Sequence, residues 1–147
     1  MHGNTNAVRL HIYKQLLSSS VAPTPAETAT ALHLPVAEVE SAYTALAADH
    51  SLVLQPRSTD IWMAMPFSNV PTSFTVVCRG RAYYANCAWD AFGVAAAMKA
   101  DAQIVTECPD CRTPIESAIR KRRPQHRNGV VHFLLPVRAW WQDIGYT

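Results

Sequence analysis

The sequence lacks the features that define several large classes of protein. Its longest uninterrupted apolar run, near residues 93–98, is far shorter than the roughly 20 residues that span a bilayer, and its N-terminus lacks the layout of a secretory signal peptide. The net charge is only +2 at pH 7, so no overall field favours nucleic acid or membranes. We therefore expect a soluble cytoplasmic protein whose 147 residues suffice for one core of ordinary size.

Cysteine is scarce, and its spacing leaves a metal site incomplete. The chain has four cysteines, which in a cytoplasmic protein are more often metal ligands or reactive thiols than disulfides. Cys108 and Cys111 form a C-x-x-C pair around a proline, but a second such pair is missing. One pair supplies half of a tetrahedral zinc site, so structural zinc stays open, with Cys78, Cys87 or a histidine as further ligands.

The first third of the chain predicts three helices and a hairpin. Apolar residues recur at helical spacing over residues 6–18, and a capping box between Thr24 and Glu27 starts a second helix that ends near residue 32. A third helix is predicted over residues 35–48, with Val36, Val39 and Tyr43 on its buried face. Two strand-like runs follow at 52–54 and 61–64. This order is typical of a winged-helix lobe, which we assign to residues 1–66.

The charges of this lobe argue against DNA binding. A recognition helix brings cationic or polar side chains to phosphates and base edges, yet residues 15–56 contain no Lys or Arg. The same span carries Glu38 and Glu40, which a polyanion would repel. We therefore expect the lobe to serve in packing, in closing over a site, or in forming a homodimer.

Residues 67–147 predict a small antiparallel sheet with one helix, which makes the protein α+β. Strands are expected at 74–77, 82–84, 103–106, 115–119 and 130–135, and Asn86 is expected to cap an alanine-rich helix over residues 88–99. The basic residues 120–123, with Arg127, predict a solvated hairpin tip in preference to a phosphate site.

The segment between the second of these strands and the helix carries the most reactive residue types. Cys87 comes at the expected helix start, where the helix dipole and free amides favour a thiolate, so we expect a lowered pKa. Asp90 lies three residues on, on the same face. The alternative is an inert buried cysteine beside an aspartate that merely suits the first turn.

Together these residues resemble the central motif of the organomercurial (alkylmercury) lyases. The resemblance rests on Cys87-Ala88-Trp89-Asp90, on the preceding 79–84 run Arg-Gly-Arg-Ala-Tyr-Tyr, and on the alanine-rich helix that follows. It covers residues 67–147, and extends to the N-terminal lobe in architecture alone. The family implies cleavage of a carbon–mercury bond without an organic cofactor: two thiolates take the mercury of R–Hg⁺, a carboxylate protonates the departing carbon, and external thiols remove Hg²⁺.

Carried over to this sequence, the resemblance assigns Cys87 to the first mercury-binding thiolate and Asp90 to the proton-donating carboxylate. Cys108 matches a cysteine of more structural character, and Cys111 has no counterpart. The family's second essential cysteine comes near the C-terminus, and this sequence stops about where it is expected. We therefore expect either a fragment, or a relative without the full site; in a complete chain, Cys108 or Cys111 would have to replace that thiolate.

A second hypothesis does not require catalysis. In it, Cys87, Cys108 and Cys111 together bind a soft or borderline metal ion, and the protein is a thiol metal-binding module or sensor.

Overall fold

A computed structural model describes residues 2–125 and 129–145 of the chain. The helices within these residues are α1 (His2–Ser19), α2 (Pro25–Leu32), α3 (Val36–Ala48) and α4 (Ala88–Met98). The strands are β1 (Leu52–Leu54), β2 (Ile61–Ala64), β3 (Phe67–Ser68), β4 (Phe74–Cys78), β5 (Arg81–Ala85), β6 (Ala102–Glu107), β7 (Pro114–Arg120) and β8 (Arg123–Pro124), and a 3₁₀ helix covers Val137–Gln142. This arrangement confirms the predicted α+β class.

Helices α1 and α2 pack against α3, as the apolar spacing of the helices predicts. Val8, Ile12 and Leu16 of α1 are buried in the core, where each contributes about 1.5–3 kcal/mol relative to an exposed position. Tyr43 of α3 is also fully buried, but Val36 is 45% exposed because it occupies the first turn, at the edge of the packed face.

The predicted capping box at the start of α2 is confirmed. The amide of Glu27 donates to Thr24 Oγ1 at 3.2 Å, and the amide of Thr24 donates to Glu27 Oε2 at 2.7 Å. Buried hydroxyls link α2 to α3: Tyr43 Oη lies 2.8 Å from Thr28 Oγ1 and donates to the Pro23 carbonyl at 3.0 Å. These bonds satisfy polar groups that burial would otherwise leave without water.

All eight described strands form one antiparallel sheet, in the order β1-β2-β3-β5-β4-β6-β7-β8. The short strand β3 joins the N-terminal hairpin to the rest, since Phe67 pairs with both Ala64 and Ala85. The sheet therefore crosses the expected boundary between residues 66 and 67, and the two parts share a core. The division into two domains stays a prediction from sequence.

Helix α4 lies on β4, β5 and β6 and faces the 65–67 connection through its small residues. The buried residues of α4 are Ala91, Val94 and Ala95. At Gly93 a Cβ atom would lie only 3.1 Å from the Pro66 Cβ, so the missing side chain allows this close approach. The middle of α4 is thereby packed closely against the segment that connects β2 to β3.

One predicted strand is wrong. Residues 130–135 are irregular, with Val130 92% and Leu134 66% exposed. An apolar run becomes a strand only where it can pair with another, and the last described strand, β8, has two residues and ends in Pro124, which has no amide to donate. The expected basic hairpin tip is present as the exposed Lys121-Arg122 turn between β7 and β8, whereas Arg127 lies outside the described residues.

Among the described residues, no helix combines the length and the apolar character needed to cross a membrane.

Candidate functional site

The candidate site begins where β5 passes into α4. Ala85, the last residue of β5, pairs with Phe74 and Phe67, and the chain then leaves the sheet. Cys87, not Asn86, is the residue before the helix: its backbone is extended, with φ −152° and ψ −177°, and its carbonyl accepts from the Ala91 amide at 2.9 Å. The prediction that Asn86 caps α4 is therefore wrong.

Cys87 and Asp90 lie one helical turn apart. Their side chains are near enough for each to affect the pKa of the other, but the Cys87 side chain makes no capping hydrogen bond at the start of α4. Both side chains are half-buried, while Trp89 beside them is 63% exposed. The thiol and the carboxyl thus form one pair at an accessible helix start.

Asn86 holds the carboxylate in place. Its Nδ2 donates to Asp90 Oδ2 at 2.9 Å and lies 3.5 Å from Met65 Sδ and from the carbonyl oxygens of Pro66 and Phe67. Its Oδ1 is buried and has no hydrogen-bond partner among the described residues. Asn86 therefore belongs to the site and is not the expected helix cap. Its spacing of four residues from Asp90 is the signal in the sequence that indicates this contact.

Burial sets the protonation of this pair. It raises the pKa of Cys87 above that of a free thiol, and the facing amides of Asp90 and Trp89 offset only part of this effect. The expectation of a lowered pKa is therefore wrong, because desolvation outweighs the helix terminus. Burial also raises the pKa of Asp90, against the lowering effect of its hydrogen bonds with Asn86 and Cys87. Both groups hold a proton more firmly than exposed ones.

The second pair of thiols lies in the loop between β6 and β7. The Cys108 amide donates to the Thr113 carbonyl, and the Arg112 amide to the Cys108 carbonyl, both at 2.9 Å. Cys111 is exposed, and its sulfur lies 3.1 Å from Thr113 Oγ1.

The strand register puts this loop at the same end of the sheet as Cys87. Phe74 at the start of β4 pairs with the end of β5, and Thr75 pairs with Val105 near the end of β6. Strands β5 and β6 therefore end together on either side of β4, about 10 Å apart at the usual strand spacing.

The four cysteines do not converge on one ion. Cys78 is a core residue whose sulfur donates to the Asp101 carbonyl at 3.5 Å, and burial raises its pKa. Within residues 2–125 and 129–145, no group of three or more His, Cys, Asp or Glu side chains is placed to hold a metal ion. The structure therefore does not assemble the expected ligand set of Cys87, Cys108 and Cys111, nor a zinc site, in this part of the chain.

Two cavities have linings that include neither Cys87 nor Asp90. One, of about 370 Å³, opens beside β6 and β7 and is lined by residues that include Gln103, Glu116 and Arg120. The other, of about 320 Å³, lies between α1, the 65–67 segment and the end of α4. Neither is lined by a cysteine, so the candidate chemistry is at the surface of the helix start.

Comparison with known proteins gives one family and one informative structure. The sequence model described as alkylmercury lyase matches residues 67–147. A solved structure titled as the mercury-bound form of MerB2 is similar in fold, with a TM-score of 0.63 and 22% sequence identity over 83% of this chain. This chain spans 58% of the length of that protein's chain. No curated protein sequence matches this one.

The matched region contains the whole candidate site, from β3 through Cys87 and Asp90 to the C-x-x-C loop. Since it covers more than half of the 147 residues, the chain belongs to the alkylmercury lyase family.

Proposed function

We propose that this chain cleaves carbon–mercury bonds, with Cys87 as the mercury-binding thiolate and Asp90 as the proton donor. The observation that carries the proposal is the half-buried Asp90 carboxyl, one helical turn from the Cys87 thiol and with a pKa raised by burial. A raised pKa makes the Asp90 carboxylate a better acceptor for the thiol proton and helps it to hold that proton until the departing carbon takes it. Membership of the family and the mercury bound in the similar structure support the same chemistry.

The proton and electron balance follows from this arrangement. When R–Hg⁺ reaches Cys87, the S–H bond breaks, a sulfur–mercury bond forms, and the thiol proton passes to the Asp90 carboxylate. Mercury is soft and prefers sulfur to oxygen, so the exchange is favourable. The carbon–mercury bond then breaks with its electron pair on carbon, which takes the proton from Asp90. The products are R–H and Hg²⁺ bound to sulfur, and no electron is gained or lost overall.

A second sulfur donor is needed to hold the product ion. We propose that a small external thiol supplies it in the assay, because no group of three or more His, Cys, Asp or Glu side chains that could hold a metal ion includes Cys87 among the described residues. Excess thiol also removes the ion and restores the free Cys87 side chain.

Asn86 acts as a positioning residue in this proposal. Its bond of 2.9 Å to Asp90 Oδ2 fixes one carboxylate oxygen, which leaves the other free to exchange a proton with Cys87. The N-terminal lobe supports the segment around Met65 that contacts Asn86, since Tyr13 of α1 donates to the Met65 carbonyl at 2.9 Å. We therefore propose that the lobe serves to support the site. Cytoplasmic location and a homodimer stay predictions from sequence.

The three-thiol metal module remains the second hypothesis, but the geometry favours it less. Its ligands would have to come together, and Cys87 instead lies beside Asp90 while Cys111 contacts Thr113.

The experiment is hydrocarbon release from an aryl- or alkylmercury compound in excess thiol. The native chain should release R–H, measured by gas chromatography, and Cys87→Ser and Asp90→Asn should each lower the rate by about 100-fold or more, the usual size of a positioned proton donor's contribution. Cys78→Ala is the matched control, since it removes a thiol outside the site. Absence of R–H from the native, folded chain would refute the proposal.

A further inference from the structure

The C-x-x-C loop has a defined backbone structure, and the lyase proposal does not use it. It closes the β6–β7 hairpin, in which Glu107 pairs with Pro114. Two backbone hydrogen bonds of 2.9 Å, between Cys108 and Thr113 and between Arg112 and Cys108, fix the turn at its base. Both thiols are therefore carried by a short, well-anchored loop.

The two thiols are close to one another and form no disulfide. Cys108 and Cys111 are free cysteines, and the Cys108 side chain lies within hydrogen-bonding range of the Cys111 sulfur. Cys111 is exposed and Cys108 half-buried, so an ion from solvent reaches the pair directly. Cys78 instead donates to the Asp101 carbonyl, and Cys87 lies beside Asp90.

Cys111 is held in place by its neighbours in the loop. Its sulfur lies 3.1 Å from Thr113 Oγ1, and hydrogen bonds with Thr113 and the Cys108 side chain lower the pKa of Cys111 to about 7. A thiol binds a metal ion as the thiolate, so both sulfurs of the pair are deprotonated once an ion is bound.

We propose that Cys108 and Cys111 form a second mercury site, which holds one Hg²⁺ ion between its two sulfurs. Two S–H bonds break, two Hg–S bonds form, and two protons pass to solvent, with no change of oxidation state. Hg²⁺ is satisfied by two sulfurs in a linear arrangement, whereas zinc needs about four ligands and no group of three is present in the described part of the chain.

The position of the loop suggests its use. It lies at the same end of the sheet as Cys87, with one strand between the two strand ends. An ion that external thiol lifts from Cys87 would meet this pair nearby. That use rests on the proposed lyase function, but the binding of inorganic Hg²⁺ does not.

The test uses Cys87→Ser, which lacks the proposed catalytic thiol, so lyase failure and failure of this site can be told apart. The reduced variant is mixed with one equivalent of HgCl₂ in excess glutathione and analysed by native mass spectrometry. We expect one mercury per chain with the loss of two protons, and protection of Cys108 and Cys111 from alkylation. The two sulfurs act as a chelate, so removing either should weaken retention by about 100-fold.

Two further variants keep the result interpretable. Cys87→Ser/Cys111→Ser and Cys87→Ser/Cys108→Ser should both lose mercury to glutathione, with unchanged circular dichroism. Equal retention with and without Cys111, or mercury lost completely when Cys87 alone is replaced, would overturn the proposal.

Discussion

Replacing Asp90 by asparagine should stabilise the protein while it removes activity. Burial raises the pKa of Asp90, which means that the folded chain disfavours the ionised carboxylate relative to the unfolded chain. Asparagine carries no charge and can still accept hydrogen bonds from Asn86 and Cys87 through its amide oxygen. The substitution therefore removes an unfavourable charge at little cost in packing.

The sign of the pH dependence follows from the raised pKa. Below the unfolded value of about 3.9 the side chain is protonated in both states and adds no penalty. As pH rises through the folded pKa, the folded state gives up a proton that it holds more firmly than the unfolded state, so wild-type stability falls. The advantage of Asp90→Asn over wild type should accordingly grow with pH and level off above the folded pKa.

The size of the gain is modest. Asp90 is only partly buried, so solvent screening limits the gain to about 1 kcal/mol or less. For a chain of this length that is an increase in Tm of about 2–4 °C at most. Thermal unfolding followed by circular dichroism at pH 4 and pH 8 measures it.

Asp110→Asn is the matched control, because Asp110 lies exposed in the β6–β7 loop. It removes the same charge from a solvated position, so its stability difference should stay near zero at both pH values. If Asp90→Asn lowers Tm at pH 8, or if its gain is equal at pH 4 and pH 8, the assignment of a buried, pKa-raised carboxylate is wrong.

The remaining predictions concern the fold and the loop thiol. Tyr43→Phe removes a buried hydroxyl that bonds the Pro23 carbonyl, and should lower the free energy of unfolding by about 1–2 kcal/mol in urea titration. Thr24→Ala removes a helix cap and should cost about 1 kcal/mol in the same assay; no loss would contradict the capping box. Cys111 should alkylate with a midpoint near pH 7, and Thr113→Val should move that midpoint upward, as peptide mapping after iodoacetamide would show; an unchanged midpoint would count against the hydrogen bond.

Much of the fold could be predicted because its signals are local. The capping box needs only Thr24, Pro25 and Glu27, and the apolar spacing of α1 directly predicts its buried face. The failures came where the outcome depends on distant parts of the chain. Residues 130–135 look like a strand but pair with no strand in the part of the chain that the structure describes, and Phe67 joins two parts of the sheet through a strand of only two residues.

The site shows the same limit. The pairing of Cys87 with Asp90 follows from spacing along a helix, and so could be predicted from sequence. The direction of the Cys87 pKa could not, because it depends on burial in the folded chain, which outweighs the helix terminus. The role of Asn86 was hidden for a similar reason, since its neighbours Met65, Pro66 and Phe67 are about twenty residues away.

The proposed roles of Cys87 as the mercury-binding thiolate and of Asp90 as the proton donor can be separated by intact mass spectrometry of one trapped species. Asp90→Asn, in a chain whose Cys108 and Cys111 are serine, is incubated with an arylmercury compound and excess thiol. The account predicts an intact R–Hg adduct on Cys87, one proton lighter than the sum of its parts, with no hydrocarbon released. Mercury bound without its organic group, or an adduct located elsewhere, would contradict it.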